Sequence, residues 1–384
     1  MPPSAASCAS VLIILYYKIE KNQGGKINKY FLALNCHQKI GSQTLKKILA
    51  AFNDDIEKAW KSSSFEINKR LEPKIAEILK ESQKIFSPDK EIEKIKKLNI
   101  GYTTIFDKTY PTQLKELPDA PVILYVKGDV EILKEPSLAI VGSRKFSSYG
   151  KMSAYKFAKE SAEAGLVIIS GLALGIDAVA HSAALEANGK TVGVLGCGLD
   201  QIYPTSNFGL SKKIIETGGA IISELSPGTP PLKHNFPARN RIIAGLSLGT
   251  LVVEAAESSG ALITAYEALD YNREVFAVPG NINSETSQGT NRLIQKGAKL
   301  VISTEDIFEE LNLEFKKSHQ KAKEALPESS EEKIILDLIA KKDLLVDNIM
   351  EESDLNVIEI NSTLTMMEMK GMIENVGGRY RRKL

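Results

Sequence analysis

The sequence predicts an α/β protein whose main domain is a mostly parallel sheet with helices on both faces. A small helical domain precedes this sheet and a winged helix follows it. Three observations support the assignment. Apolar runs alternate with helical segments about every 25 to 30 residues between positions 138 and 302. Apolar residues recur at three- and four-residue steps from about residue 29 to 88, and three short helical patterns precede a glycine turn at the end of the chain.

The composition describes an ordinary folded protein. The 384 residues are 43% hydrophobic and 25% charged, which is typical of about two or three soluble domains. The net charge is +1, and no segment is a polycationic tail, so nucleic-acid binding would need cations placed locally in a groove. Cys8, Cys36 and Cys197 are too few for a disulfide framework and have no zinc spacing. A reducing cytoplasm fits best, and no metal is expected.

Residues 1–28 are predicted to be an irregular extension of unknown role. Their apolar run, 11–17, is far shorter than the roughly 20 residues of a membrane helix, and no positively charged region precedes it. The sequence therefore predicts no membrane association.

Residues 29–99 are predicted to form a small helical domain. Gly41 and Ser42 interrupt the helical pattern as a turn and helix start. The segment 40–49 is similar to helix-hairpin-helix and SAM-like units, although an ordinary helical bundle would give the same pattern.

Residues 100–312 are predicted to form the main domain. Its connector, up to residue 129, has two short strand-like runs. Continuous apolar strands separated by amphipathic helices indicate a parallel sheet covered on both faces, and ligands in such folds bind at the carboxyl ends of the strands. The predicted strands are 138–141, 166–169, 191–195, 220–223, 250–253, 274–278 and 299–302.

The segment 230–241 is the most informative stretch, because it combines three cations, two amides, a histidine and a phenylalanine. Lys and Arg can neutralise phosphates, Asn can hydrogen-bond bases or phosphates, and a Phe face can stack on a base for roughly 1–3 kcal/mol. A solvated loop punctuated by prolines is the alternative.

Two other strand ends are predicted to bind anions. One of them lies between a predicted strand and a helix start and consists of Gly142, Ser143, Arg144 and Lys145. Backbone N–H groups at a helix start can donate hydrogen bonds to an anion, and Arg144 can bind a phosphate. A plain turn with a solvated Arg is the alternative. The loop 170–175 contains glycines before a helix but lacks the full dinucleotide fingerprint. It is better explained as a second anion nest, so no cofactor is predicted.

Two further patterns leave alternatives open. Asp177 and His181 share a helix face and could form a structural pair, whereas a catalytic dyad would need a nucleophile or metal nearby. Thr250 followed by Glu254 is similar to a motif of nucleotide hydrolases with this fold, but the preceding proline and glycines of that motif are missing. The segment 288–292, before the last helix of the domain, could add phosphate contacts.

Residues 313–330 are predicted to be a linker, and residues 331–384 a winged helix with helices 331–340, 344–352 and 357–370 and a two-stranded hairpin. Acidic residues at 351, 352, 354 and 359 argue against a strong duplex-DNA surface, which leaves protein docking as the favoured role.

Several motifs of the main domain occur in a recognisable order: 139–144, Ser170-Gly171 through Asp177 with Ala180-His181, Gly193 through Tyr203-Pro204, Ser223-Glu224, 236–243, and Glu254 followed by Ser258, Gly260 and Ala261. With them, residues 138–302 resemble the DNA-processing protein A family (DprA, also called Smf), whose members act in natural transformation and recombination. Residues 1–28 match nothing in that pattern.

The resemblance implies an extended Rossmann domain that binds single-stranded DNA and delivers it to a RecA-type recombinase, usually as a homodimer. Arg144 would clamp a phosphate, Lys233 would contact the backbone and Phe236 would stack on a base. The full set expected to contact nucleic acid is Gly142, Ser143, Arg144, Lys145, Ser170, Gly171, Lys233, Asn235, Phe236, Arg239, Asn240, Thr264, Gln288 and Asn291. No catalytic residue is expected. The alternatives are a nucleoside-monophosphate phosphoribohydrolase and a protein-binding adaptor that acts through the winged helix.

Overall fold

The structure is a computed structural model that describes residues 29–314, 329–339, 344–353, 355–369, 372–376 and 378–382. The chain divides into two compact units, one up to residue 315 and one from residue 316 onward. The extension predicted for residues 1–28 and most of the predicted linker lie outside the described residues.

The described part of the first unit begins with a helical layer. Its helices are α1 (Lys29–Asn35), α2 (Ser42–Ala51), α3 (Ile56–Lys61), α4 (Ser64–Arg70), α5 (Pro73–Ile85) and α6 (Pro88–Lys97). Pro73 and Pro88 occupy first helical positions, where a missing N–H breaks no intrahelical bond. The apolar side chains of this layer form one cluster with Leu172, Leu195 and Ile221 of the main domain. The helical layer therefore packs directly on the domain that follows it.

The main domain alternates strands and helices. Its first half contains β1 (Gly101–Thr104), α7 (Thr112–Lys115), β2 (Ile123–Gly128), β3 (Ser137–Val141), α8 (Ser148–Glu163), β4 (Val167–Ser170), α9 (Ile176–Glu186), β5 (Thr191–Val194), α10 (Phe208–Glu216) and β6 (Ala220–Ser223). Its second half contains α11 (Asn235–Leu246), β7 (Gly249–Val252), α12 (Gly260–Asp270), β8 (Glu274–Ala277), α13 (Glu285–Gln295), β9 (Lys299–Leu300) and α14 (Thr304–Glu310).

The strands form one nine-stranded sheet in the order β1-β2-β6-β5-β4-β3-β7-β8-β9. The pairs from β6 to β9 are parallel, whereas β1–β2 and β2–β6 are antiparallel. The predicted mostly parallel sheet is confirmed. The two strand-like runs of the predicted connector are β1 and β2, which extend the sheet at one edge.

Burial on both faces explains the continuous apolar strands. In β3, Leu138 and Ile140 belong to one hydrophobic cluster, whereas Ala139 and Val141 belong to another on the opposite face. Successive side chains of a strand point to opposite faces, so a strand with helices above and below it must be apolar at every position.

The second unit is a winged helix. It contains α15 (Ser330–Ile339), β10 (Leu344–Leu345), α16 (Val346–Glu352), α17 (Val357–Met369), β11 (Ile373–Val376) and β12 (Arg379–Arg382). Ile335, Ile349 and Leu364 pack in its core. The predicted winged helix is confirmed, with one correction: residues 344–345 form a third strand that pairs with β12 rather than the start of a helix.

The described residues contain neither a membrane-spanning helix nor a metal-binding cluster. None of the helices described has the length and apolar content needed to cross a bilayer. Within the same residues, His, Cys, Asp and Glu side chains form no group arranged to hold a metal ion.

Candidate nucleic-acid interface

A cavity of about 700 Å³ opens at the carboxyl ends of the parallel strands, beside β3 and β7. From β3 the chain builds β4, β5 and β6 on one side and then returns to place β7 on the other side. Loops diverge at such a switch point and leave a crevice, where doubly wound sheets bind their ligands. The predicted site residues that line the cavity are Gly142, Arg144, Lys233, Phe236, Arg239, Asn240 and Thr264.

The loop after β3 holds Arg144 at the edge of this cavity. The Ser143 N–H donates to the Glu254 carbonyl at 2.7 Å, and the Ile176 N–H donates to the Ser143 carbonyl at 3.2 Å. Gly175 has a φ of +92° and passes so close that a Cβ on it would lie 2.3 Å from the Ser143 carbonyl oxygen. The loop is therefore fixed, while the Arg144 side chain is exposed. No carboxylate of the described chain forms an ion pair with Arg144, so an anion can reach its guanidinium.

Phe236 lies in the first turn of α11 and is half-buried. The Arg144 guanidinium lies 5.9 Å from the centre of its ring, and the Tyr203 ring centre lies 5.6 Å away at an interplanar angle of 41°. Gly196 lies against the ring, because a Cβ on that residue would come within 3.0 Å of it. An aromatic face next to a cation suits an unpaired base attached to a phosphodiester.

Two more features place positive potential at the cavity. Lys233 is exposed on the turn that precedes α11. Helix α12 begins in the cavity wall, where Ser259 Oγ accepts from the Ala261 N–H at 3.3 Å, and its first turn contains no acidic residue. The positive end of the helix dipole therefore adds to the two side-chain cations.

Comparison with known proteins assigns the chain to a family. The family model described as DNA recombination-mediator protein A matches residues 101–312, and that of the DprA winged helix domain matches residues 319–379. The chain belongs to the DNA recombination-mediator protein A family. The family resemblance inferred from the motifs is thereby confirmed, and a role in DNA processing follows from it.

Relatives of this family match much of the chain. DNA processing protein DprA of Streptococcus pneumoniae is 49% identical over 207 residues, which cover 54% of this chain and 73% of that protein. Protein Smf of Escherichia coli is 37% identical over 355 residues, which cover 88% of this chain and 93% of that protein.

Two solved DprA structures are also similar. The X-ray structure of DprA from Streptococcus pneumoniae has a TM-score of 0.65 at 39% identity and covers 74% of this chain and 99% of that one. A DprA structure from Helicobacter pylori, which concerns the single-stranded DNA binding mode of that protein, has a TM-score of 0.50 at 34% identity and covers 56% of this chain and 97% of that one.

Arg239 occupies a different place from the one expected of a DNA contact. Its side chain is buried, with the residue 6% exposed, and its Nη1 donates to the carbonyls of Gly171 (2.6 Å) and Val194. Burial lowers its pKa to about 10, while the nearby Asp177 favours the charged form. Arg239 therefore braces the floor of the cavity in this family member, and the expected phosphate contact is corrected.

Asp177 supports the same floor. Its carboxylate accepts from the N–H groups of Gly171 (3.0 Å) and Ala173 (3.3 Å), and burial raises its pKa. His181 hydrogen-bonds Thr191 Oγ1 at 2.6 Å instead of Asp177. The expected pairing of Asp177 with His181 is therefore wrong, although both residues are structural.

Three other residues expected to contact DNA form hydrogen bonds within the protein. Ser170 Oγ donates to the Ile140 carbonyl at 2.7 Å and is fully buried, and the Asn235 amide donates to the Pro230 carbonyl at 3.3 Å and is 8% exposed. Asn240 lines the cavity, but its amide accepts from Arg239 Nε at 3.2 Å and donates to the Gly260 carbonyl at 3.3 Å. The positions of Ser170 and Asn235 correct their expected roles, because neither side chain faces the cavity.

The remaining predicted residues lie at different distances from the cavity. Ser143 Oγ and Lys145 close a turn with each other, and the Lys145 side chain is exposed. Thr264 is in the wall but only 1% exposed. Gln288 is exposed on α13 and Asn291 braces Gly280, and neither lines the cavity, which corrects their expected phosphate contacts.

Glu254, on which the hydrolase alternative depends, does not face the cavity. It is 2% exposed and accepts from the Ser147 N–H (2.9 Å), Ser147 Oγ (2.5 Å) and Thr286 Oγ1 (3.1 Å). A carboxylate with its oxygens engaged in this way ties two loops together. It cannot reach a substrate without breaking those bonds.

Tyr203 is an aromatic residue of the cavity lining that is not among the predicted contacts. It follows β5, is 43% exposed and packs beside Phe236. The Tyr203-Pro204 pair stands among the motifs that carry the family resemblance, but a single aromatic residue in a loop does not indicate which way its ring points. Only the fold brings it next to α11.

Proposed function

We propose that this chain binds single-stranded DNA in the cavity beside β3 and β7 and delivers it to a RecA-type recombinase. The observation that carries the proposal is the cluster of exposed Arg144, exposed Lys233 and the half-buried Phe236 ring around one crevice. Family membership supports it further. On the same grounds we infer a homodimer that acts in the cytoplasm during natural transformation or homologous recombination.

In the proposed complex, Arg144 grips one phosphate with two N–H groups and Lys233 neutralises another. The start of α12 faces a third position, where its backbone N–H groups favour negative charge. A base turned out from the strand stacks on Phe236. Duplex DNA hides its base faces, so we expect preference for single strands with little dependence on base sequence.

Salt dependence follows from the number of phosphates. Arg239 is not counted as a phosphate contact, because its side chain is buried and bonded to carbonyl groups. With two or three contacts and about −0.7 per contact on single strands, log affinity should fall with log salt at a slope of roughly −1.4 to −2.1.

The test is fluorescence anisotropy with a labelled oligonucleotide, single-stranded and duplex, across a salt series. We expect Arg144→Ala to weaken single-strand binding and to make the slope less negative by about 0.7, because one phosphate contact is lost. Lys134→Ala is the matched control, since that lysine pairs with Glu131 and lies outside the cavity lining. Strand-indifferent binding, or binding with a slope near zero, would contradict the proposal.

The adaptor alternative has one observation in its favour, which concerns the winged helix. Helix α17 contains two glutamates and no lysine or arginine. A helix that lies in a duplex major groove normally brings lysines or arginines to the phosphates beside it. We infer that the winged helix contacts protein, a role that is compatible with DNA binding by the first unit.

A further inference from the structure

We propose that Tyr203, Pro204 and Leu174 form a second base subsite beside Phe236, which takes the neighbouring nucleotide of the same DNA strand. This inference rests on the proposed function, because the strand must already be held at Arg144 and Phe236.

A small recess continues the main cavity at this place. It has a volume of about 50 Å³ and shares Arg144, Tyr203 and Phe236 with the main cavity, while Leu174, Pro204 and Gly196 belong to the recess alone. The recess is too small for a whole base. The base would instead cover the open face of Tyr203 with one edge directed into the recess.

The walls are apolar and exposed. Tyr203 is 43% exposed, although its ring packs beside Phe236, and Leu174 is 49% exposed. No carboxylate lines the recess, and its cations are Arg144 and the buried Arg239. A surface of this kind attracts the flat face of a base and does not repel the phosphate that accompanies it.

The protein holds the two walls at a fixed separation. Asn207, three residues after Pro204, donates its amide hydrogens to the carbonyls of Leu172 (2.9 Å) and Ala173 (3.2 Å). Asn207 is 8% exposed, so these bonds are shielded from water. They connect the loop after β5 with the loop after β4, which carries Leu174. The subsite is therefore formed before any ligand arrives.

The geometry favours an adjacent base over an unrelated apolar ligand. The centres of the Tyr203 and Phe236 rings are 5.6 Å apart, and Arg144 borders both cavities. One phosphate held at Arg144 therefore lies close to two neighbouring aromatic surfaces. Proteins that bind single strands use such successive aromatic surfaces for successive bases.

The test compares full-length wild type with Tyr203→Leu and Tyr203→Phe on two ligands of equal length, a thymidine oligonucleotide and a strand of abasic deoxyribose phosphates. Loss of one base stack should weaken Tyr203→Leu binding to the thymidine strand about fivefold or more. Its affinity for the abasic strand should equal that of wild type, and Tyr203→Phe should bind both strands as wild type does. Tyr266→Leu is the control, because Tyr266 is similarly exposed (40%) and lies outside both cavities.

Each other result overturns the inference in a distinguishable way. If Phe236→Leu weakens binding to the thymidine strand and Tyr203→Leu does not, the first subsite exists and the second does not. If Tyr203→Leu weakens binding to both strands equally, Tyr203 acts through the fold or the backbone. If wild type binds no single strand, the proposed function fails and the subsite fails with it. Thermal unfolding of each variant shows whether the fold is intact.

Discussion

At the scale of single residues, Arg144 places a positive charge beside the aromatic ring of Phe236. Its guanidinium lies 5.9 Å from the Phe236 ring centre, an arrangement worth about 0.5–1 kcal/mol at an exposed site. This interaction is weak enough to yield to a phosphate, yet it keeps the flexible side chain near the place where the base would stack. The two residues are therefore oriented toward a shared ligand before binding.

His181 predicts a pH dependence of folding. Thr191 Oγ1 donates to the Ile168 carbonyl (2.6 Å), so it accepts from Nδ1–H of His181, whose Nε2 is buried without a partner. Burial lowers the pKa of His181 to about 3. The unfolded value is about 6.5, so the unfolded chain binds more protons between these values and stability falls as pH falls through that window.

The expected loss from His181 between pH 7 and pH 5 is about 2 kcal/mol of unfolding free energy. Urea unfolding of the wild type and His181→Gln at both pH values measures it, since other groups titrate alike in the two proteins. The variant should lose less stability on acidification. Equal losses in the two proteins would mean that His181 is not buried as a neutral ring.

The site residues show what the sequence could predict. Arg144, Lys233 and Phe236 all line the cavity, because Arg144 follows β3 and the other two lie between the end of β6 and the first turn of α11, at the carboxyl edge of the parallel sheet. Arg239 lines the same cavity, but as the fifth residue of α11 it turns its guanidinium inward to the Gly171 and Val194 carbonyls. Sequence pattern gives the type of side chain, but whether a cation faces solvent or backbone depends on packing between distant elements.

At the scale of elements, the loop between β3 and α8 is held by the start of α9. Replacing Gly175 with Ala would place Cβ 2.3 Å from the Ser143 carbonyl oxygen and 2.6 Å from Arg144 Cα. We expect Gly175→Ala to displace the Arg144 loop and to weaken single-strand binding at least tenfold, as measured by anisotropy.

Gly165→Ala is the matched control for that substitution. Gly165 also has a positive φ, +97°, but open space surrounds the position of its Cβ. The Gly165→Ala variant should lose roughly 1 kcal/mol of unfolding free energy through backbone strain and should keep the DNA affinity of the wild type. If both variants bind DNA equally well, close packing at Gly175 does not position Arg144.

The strands of the parallel sheet were predictable because burial on both faces makes them apolar throughout, as in β3. The edge was harder: β1 and β2 read only as strand-like runs in a connector, since antiparallel pairing at a sheet edge leaves no distinctive pattern. In the winged helix, the sequence pattern predicts a helix where the structure has the two-residue strand β10. β10 is a strand because it pairs with β12, which lies more than thirty residues later in the chain. The local pattern of apolar residues does not reveal such a distant pairing.

At the scale of the whole molecule, the proposed DNA site lies within one unit. The residues that line the cavity fall between Val141 and Thr264, and the unit boundary lies at residue 315. We expect a chain that ends at residue 314 to fold and to bind single-stranded DNA with an affinity within about threefold of the full-length value. A change of that size is well below the tenfold change in Kd that corresponds to about 1.4 kcal/mol of binding free energy. A loss greater than tenfold, with the fold intact by circular dichroism, would assign DNA contacts to the winged helix.

The most direct test is to locate the DNA on the protein. A single-stranded oligonucleotide that carries 5-iodouracil is crosslinked to the full-length protein by light, and the modified peptides are identified by mass spectrometry. We expect the base to attach to the peptide that contains Phe236, with Phe236→Leu removing that adduct. Adducts confined to residues 329–382, or to any surface away from the cavity, would contradict the proposed site.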